Sequence, residues 1–141
     1  MSDTPVTIYA DGGSRGNPGP AGCGAVLIKD GATVSSVSHF LGVATNNVAE
    51  YTGLVLGLER ALALGYKVVD VKMDSELVVK QMNGQYRVKN EGLIPLFNQA
   101  RSLASRFSSF SISHVRRELN KDADLLANRA MDTRESQTTG A

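Results

Sequence analysis

The run DGGSRGNPGPAGCGAV, residues 11–26, decides how this chain is read. It follows VTIYA, residues 6–10, and sets Asp11 at the head of a segment dense in glycine and proline. Such a segment makes tight turns and lets other groups come close to the backbone. Two uses compete: a cradle for a nucleotide phosphate, or a turn that carries the chain back. A phosphate cradle ends in Gly-Lys-Ser/Thr, and no such ending follows here.

Working outward, strands are predicted at about 4–11, 21–29 and 33–43, with Asp30-Gly31 as a hairpin turn between the second and third. NNVAEYTGLVLGLERALALG then places Val48, Tyr51, Leu54, Val55, Leu58, Ala61 and Leu62 on one helical stripe. Asn46 or Asn47 is the expected N-cap, and Gly65 the stop. KVVDVKMD reads as a strand buried on both faces. A short helix ending at Gly84, a helix in LIPLFNQARSLASRF, a strand in SSFSISHV and a helix in LNKDADLLANRAM complete the series. The order βββαβααβα combines an antiparallel meander with right-handed β-α-β crossovers. The expected fold is α/β: a five-stranded mixed sheet, three strands in an antiparallel meander plus parallel strands, flanked by helices. The first strand is central, and ligands sit beyond the carboxyl ends of strands where the order reverses. Strands one and four end at Asp11 and Asp74, so two carboxylates are expected to meet there. Residues 1–131 read as one domain. Residues 132–141 read as a flexible tail or a truncated linker.

Composition is that of an ordinary globular domain. Cys23 is the lone cysteine, which excludes an internal disulfide or a multi-cysteine metal site and suits a reducing, cytoplasmic setting. No apolar run reaches the length of a membrane span, and MSDTPVTIYA lacks the pattern of a signal peptide. The charge is nearly balanced, 15 Lys+Arg against 14 Asp+Glu, unlike the basic footprint usual in nucleic-acid binders. Its distribution is uneven, however: residues 101–121 hold Arg101, Arg106, Arg116, Arg117 and Lys121 against Glu118 alone.

Four acids stand at element ends: Asp11, Glu50 and Asp124 in the first turns of the first and last long helices or at the first strand's end, and Asp74 after KVVDVKM. Each has an ordinary explanation as turn, cap or helix-dipole partner. Together they point elsewhere. Carboxylates a few ångströms apart repel and raise one another's pKa, and a divalent cation is what holds such clusters. Oxygen ligands without a Cys or His set indicate Mg²⁺ or Mn²⁺. Two such ions about 4 Å apart can activate water and stabilise the leaving oxygen of a phosphoryl displacement.

The motifs YADGGSRGNPGPAGCGAVL, TNNVAEYTGLVLGLERAL, MDSELVVKQM and SHVRRELNKDADLLANRA, in this order, make the chain resemble type 1 ribonuclease H over about residues 4 to 131. The resemblance implies cleavage of the RNA strand of an RNA–DNA hybrid, with 5′-phosphate and 3′-hydroxyl ends. It implies a catalytic set of Asp11, Glu50, Asp74 and Asp124 holding two Mg²⁺ ions, for which Mn²⁺ can substitute. Asp11 would be shared by both ions, and His114, ten residues before Asp124, would assist. It further implies that Asn17 and Asn46 contact the RNA side, Asn47 the DNA side, and Thr45 a DNA phosphate, with Asn90 adding to that pocket. The glycines beside Asp11 are then expected to turn the hairpin and admit the RNA backbone.

Some family members carry a basic helix-and-loop insertion after the third carboxylate's helix. Here Gly84 to Gly92 is short and holds only Arg87 and Lys89, so Arg116 and Arg117 become the candidates for gripping phosphates. Glu76 also departs from the pattern, since an acid near phosphates is unfavourable, and there is no Trp. A non-catalytic hybrid-binding module, a transposase- or integrase-like nuclease and an actin-like ATPase domain are the rival readings. The intact acid set, the TNNVAE asparagines and the length of the chain weigh against them in turn. A further C-terminal domain in a longer parent chain is compatible with the tail.

Overall fold

A computed structural model describes residues 4–140. The first hairpin and its neighbour comprise β1 (Val6–Ser14), β2 (Gly19–Lys29) and β3 (Ala32–Ala44). After them come α1 (Asn46–Ala63), β4 (Val68–Met73), α2 (Glu76–Met82), α3 (Ile94–Ala104), β5 (Ser109–His114), α4 (Lys121–Thr133) and β6 (Gln137–Gly140). A 3-10 turn over Arg117–Leu119 leads into α4. The sheet order is β5-β4-β1-β2-β3-β6. β1 is flanked by β2 antiparallel and β4 parallel, as the expected topology requires.

The strand count is six rather than five. β6 lies inside the segment read as a tail, where it pairs antiparallel with β3 from Ser35↔Gly140 to Ser38↔Gln137. Gln, Thr and Gly leave no hydropathy alternation to read. The strand is held by backbone pairing and by small polar contacts, including Ser35 Oγ donating to the Thr139 carbonyl at 2.6 Å.

Two other boundaries differ from expectation. Thr45, rather than an asparagine, caps α1: its Oγ1 accepts from the Val48 N–H at 3.2 Å. β1 continues to Ser14 because β2 pairs with it throughout, so Asp11 sits within a strand rather than at its end. Asp74 does follow β4 directly. Asp30 and Gly31 both take positive φ, 52° and 79°, the geometry of the expected tight hairpin.

The helices lie on both faces of the sheet. α1 buries Tyr51, Leu54 and Leu58 against Ile8 and Leu27 in a core that also takes Val69, Val71 and Met73 from β4. α4 covers the opposite face of β2. Two glycines set how near these helices come. A Cβ on Gly12 would overlap the backbone of Ala49 in α1, and one on Gly24 would lie 2.7 Å from the Ala123 carbonyl oxygen in α4. The glycine run is thus a double seat for helices, and this is what brings Glu50 and Asp124 to the strand that carries Asp11. Among the described residues no helix is long and apolar enough to cross a membrane.

Candidate active site

Register creates the site. Ala10 pairs with Met73 across the parallel β1–β4 ladder, so the next residues, Asp11 and Asp74, emerge side by side. α1, seated on Gly12, adds Glu50 from its second turn rather than its first. Carboxylate oxygens of Asp11, Glu50 and Asp74 all lie within 4.8 Å of one another. Asp124, in the first turn of α4, lines the same cleft and is near enough to add to the upward push on the Asp11 carboxyl.

These acids are electrostatically loaded. Burial pushes the Asp11 carboxyl up to about 8, with the charge of Asp74 and the nearby Asp124 adding to it and the Gly12 N–H partly offsetting it. Burial likewise raises Glu50 to about 7. Asp74 adds to that rise, while the Ser75 hydroxyl and Arg117 oppose it. The residues fit hard divalent cations: three converging carboxylates and a fourth in the same cleft, all oxygen donors, with too little positive charge nearby to neutralise them.

The sign of the resulting pH dependence follows. Folded Asp11 and Glu50 hold protons well above their ordinary 3.8 and 4.5, so between those values and about 8 the folded state binds more protons than the unfolded. Stability without metal therefore falls as pH rises through this window. Melting in EDTA is expected at lower temperature near pH 8 than near pH 5 once other groups are accounted for with the Asp11→Asn/Glu50→Gln variant. Mg²⁺ should raise the melting temperature more at the higher pH, where its ligands are deprotonated. A pH-independent difference between the two proteins would contradict this.

The acids line one open cleft of about 470 Å³ together with Asn46, Asn47, Arg15 and Arg117. Asn46 is tied into the wall. Its Oδ1 accepts from the Ser14 N–H at 2.7 Å and the Ser14 hydroxyl at 3.1 Å. Its backbone N–H donates to Asn17 Oδ1 at 3.1 Å. Both asparagine oxygens are thereby engaged as acceptors.

Of the other residues singled out in the sequence, Arg117 reaches the site: its Nε lies 3.6 Å from Asp74 Oδ2, while its side chain stays largely exposed. Thr45 stands beside the asparagines as the α1 cap. Asn17, Thr45, Asn90, His114 and Arg116 do not line the cleft. Asn90 closes a local turn by accepting from the Gly92 N–H at 2.7 Å. His114 ends β5, in register with Met73, close enough to act electrostatically on Glu76. That carboxyl is held below its usual range chiefly by its hydrogen bond to Lys80, with His114 a smaller influence. The Glu76–Lys80 pair at 2.6 Å also answers the concern that Glu76 would present a bare charge to phosphates.

Sequence reasoning missed Asn120. It is 1% exposed, and its Nδ2 donates to the Ala10 carbonyl at 2.9 Å and reaches Asp74 Oδ1 at 3.5 Å. Its backbone carbonyl accepts from the Asp124 N–H at 3.1 Å. One residue, through its side-chain NH₂ and its backbone carbonyl, thus joins the three elements that carry Asp11, Asp74 and Asp124. An asparagine just before a helix reads as a cap, and nothing in the spacing distinguishes this one.

Residues 9–130 match a family model described as reverse transcriptase-like. A bifunctional protein of Mycobacterium tuberculosis is 54% identical over 129 residues, an alignment that takes in 90% of this chain and 35% of that protein. Among solved structures, ribonuclease H1 from the halophilic archaeon Halobacterium salinarum is 43% identical with a TM-score of 0.89, covering 92% of this chain and 99% of that one. LC11 ribonuclease H1, solved in complex with an RNA/DNA hybrid, is 42% identical with a TM-score of 0.87, covering 92% and 98%.

Proposed function

We propose, from the premise that the chain belongs to the type 1 ribonuclease H family, that it is a metal-dependent endonuclease hydrolysing the RNA strand of RNA–DNA hybrids. The observation that carries this reading is the convergence of Asp11, Glu50 and Asp74 in a cleft whose other wall holds Asn46 and Asn47. The LC11 relative, solved on such a hybrid, supports the choice of substrate. Incubation with a hybrid, an all-DNA duplex and free single strands tests it. Mg²⁺-dependent loss of RNA from the hybrid alone is expected, and equal attack on the DNA duplex would overturn it.

Asp11, Glu50, Asp74 and Asp124 would hold two Mg²⁺ ions, or Mn²⁺ in their place, with Asp11 shared. Bound there, the pair would supply an activated water and charge stabilisation at the leaving oxygen. The chain's own residues do the rest. Asp11 is buried and the other acids half-buried, on or directly beside strand and helix positions, so they are preorganised before substrate arrives. The NH₂ groups of Asn17 and Asn46 can donate to ribose hydroxyl oxygens, which DNA lacks. Arg116 and Arg117 would meet backbone phosphates, and Thr45, Asn47 and Asn90 the DNA side. Ends of 5′-phosphate and 3′-hydroxyl would follow where water attacks phosphorus in line with the P–O3′ bond, which breaks with the 3′ oxygen as the leaving group.

His114 would assist at the rim, relaying a proton through its imidazole or easing product departure. Such assistance is worth about 10² to 10⁴-fold when fully exploited. His114→Ala is expected to lower kcat by about 10 to 10³-fold, the supporting end of that range, with hybrid affinity retained. An unchanged kcat would make His114 structural.

A reducing cytoplasm suits Cys23, a buried free thiol pushed up to about 12 by burial and by Asp11. The chain spans only 35% of the bifunctional mycobacterial protein. A longer parent with a further C-terminal domain, and activities beyond hybrid cleavage, therefore belong to this reading.

A further inference from the structure

Two cations line the cleft among the described residues, and they are not equivalent. Arg117 is paired with Asp74, a candidate metal ligand, so drawing it onto a substrate would uncover a catalytic carboxylate. Arg15 is paired with Asp132, Nη2 to Oδ1 at 2.7 Å. Asp132 lies in the last turn of α4 and does not line the cleft.

The Arg15 backbone is fixed. Its N–H donates to the Pro20 carbonyl at 2.8 Å. On one side Ser14 is bonded to Asn46, and on the other Asn17 accepts from the Asn46 N–H. The side chain is not fixed by burial: Arg15 and Asp132 side chains are 48% and 63% exposed. An ion pair this open contributes little to stability and is easily exchanged. A phosphodiester offers guanidinium the same two-oxygen geometry as a carboxylate.

We propose that Arg15 binds a backbone phosphate of the hybrid, and that Asp132 is a latch that holds the guanidinium at the rim of the cleft until a phosphate displaces it. This rests on the proposed substrate. The latch serves a site that is otherwise acidic: it keeps the cation out of the carboxylate cluster, where it would compete with metal, yet within reach of the strand. It also supplies one phosphate contact in a chain that lacks the basic insertion.

The test measures the dissociation constant of a fluorescein-labelled RNA–DNA hybrid in EDTA over a series of KCl concentrations, with Mg²⁺-dependent cleavage followed separately. Arg15→Ala is expected to weaken binding about tenfold, the worth of a charge-assisted contact. It should also flatten the log–log salt slope by just under one contact, about 0.9 at most. Asp132→Asn is expected to tighten binding about two- to fivefold, since the competitor is gone. Arg15→Lys should keep most of the slope and lose part of the affinity. Opposite signs for Arg15→Ala and Asp132→Asn are the signature. If both weaken binding alike, the pair is a structural brace and the proposal is wrong, as it is if Arg15→Ala changes neither affinity nor slope. Failure of the wild-type protein to cleave while these binding shifts hold would instead refute the catalytic reading alone.

Discussion

Asp74→Asn is expected to reduce turnover of an RNA–DNA hybrid by several orders of magnitude without loss of the fold, and Asp11→Asn to do the same. Both replacements keep size and shape but remove a carboxylate from a half-buried cluster. The carboxylates of Asp11, Glu50 and Asp74 lie within 4.8 Å of one another, and Asp11 is pushed up to about 8 first by burial and then by Asp74. A neutral amide relieves that repulsion, so the metal-free variants should melt at the same temperature as the parent or higher. The same change removes an anionic ligand that Mg²⁺ needs. Activity and stability should thus move in opposite directions. An active Asp74→Asn protein would remove Asp74 from the catalytic set. An inactive one that has also lost its fold would point to a packing role instead.

Replacing the ribonucleotides of the hybrid by deoxyribonucleotides is expected to abolish cleavage to a comparable extent. Asn46 spends its side-chain oxygen on Ser14, and Asn17 spends its own on the Asn46 N–H. In the proposed function their NH₂ groups are the donors for the substrate, Asn46 from the cleft lining and Asn17 from the turn bonded to it. There they would meet hydroxyl oxygens present on ribose and absent from deoxyribose, and a site built to bond a hydroxyl discriminates strongly against its absence. A substrate series that retains short ribonucleotide runs in an otherwise DNA strand should restore cleavage only at those runs. Cleavage of the all-DNA duplex at a similar rate would show that the asparagine wall does not select the sugar.

The topology was legible because several local signals agreed. The α1 stripe, the Asp30-Gly31 turn and the apolar β4 run each fix an element, and crossover handedness then makes β1 central. Asp11 and Asp74 could be placed together on that basis alone, while Glu50 and Asp124 were picked out as acids at helix starts and joined to the pair by the family motifs. The glycine run has a second use that its composition does not show. Gly12 and Gly24 admit helix backbones, a tertiary fact that a turn-rich composition conceals. β6 was unreadable because its residues carry no apolar alternation, and its pairing depends on an edge that β3 offers. Arg15 with Asp132 and Asn120 with Ala10 join residues 117 and 110 positions apart in sequence. Neither pairing leaves a local pattern.

The most direct test of the account is the chemistry of the products. RNA labelled at its 5′ end and annealed to DNA should be cut in Mg²⁺, remain intact in EDTA, and yield fragments that end in a 3′-hydroxyl extendable by a polymerase. That outcome requires attack by water at a site where acids hold metal. Fragments ending in a 2′,3′-cyclic phosphate or 3′-phosphate, formed equally well in EDTA, would mean that the ribose itself is the nucleophile and that the carboxylate cluster is not the catalytic centre.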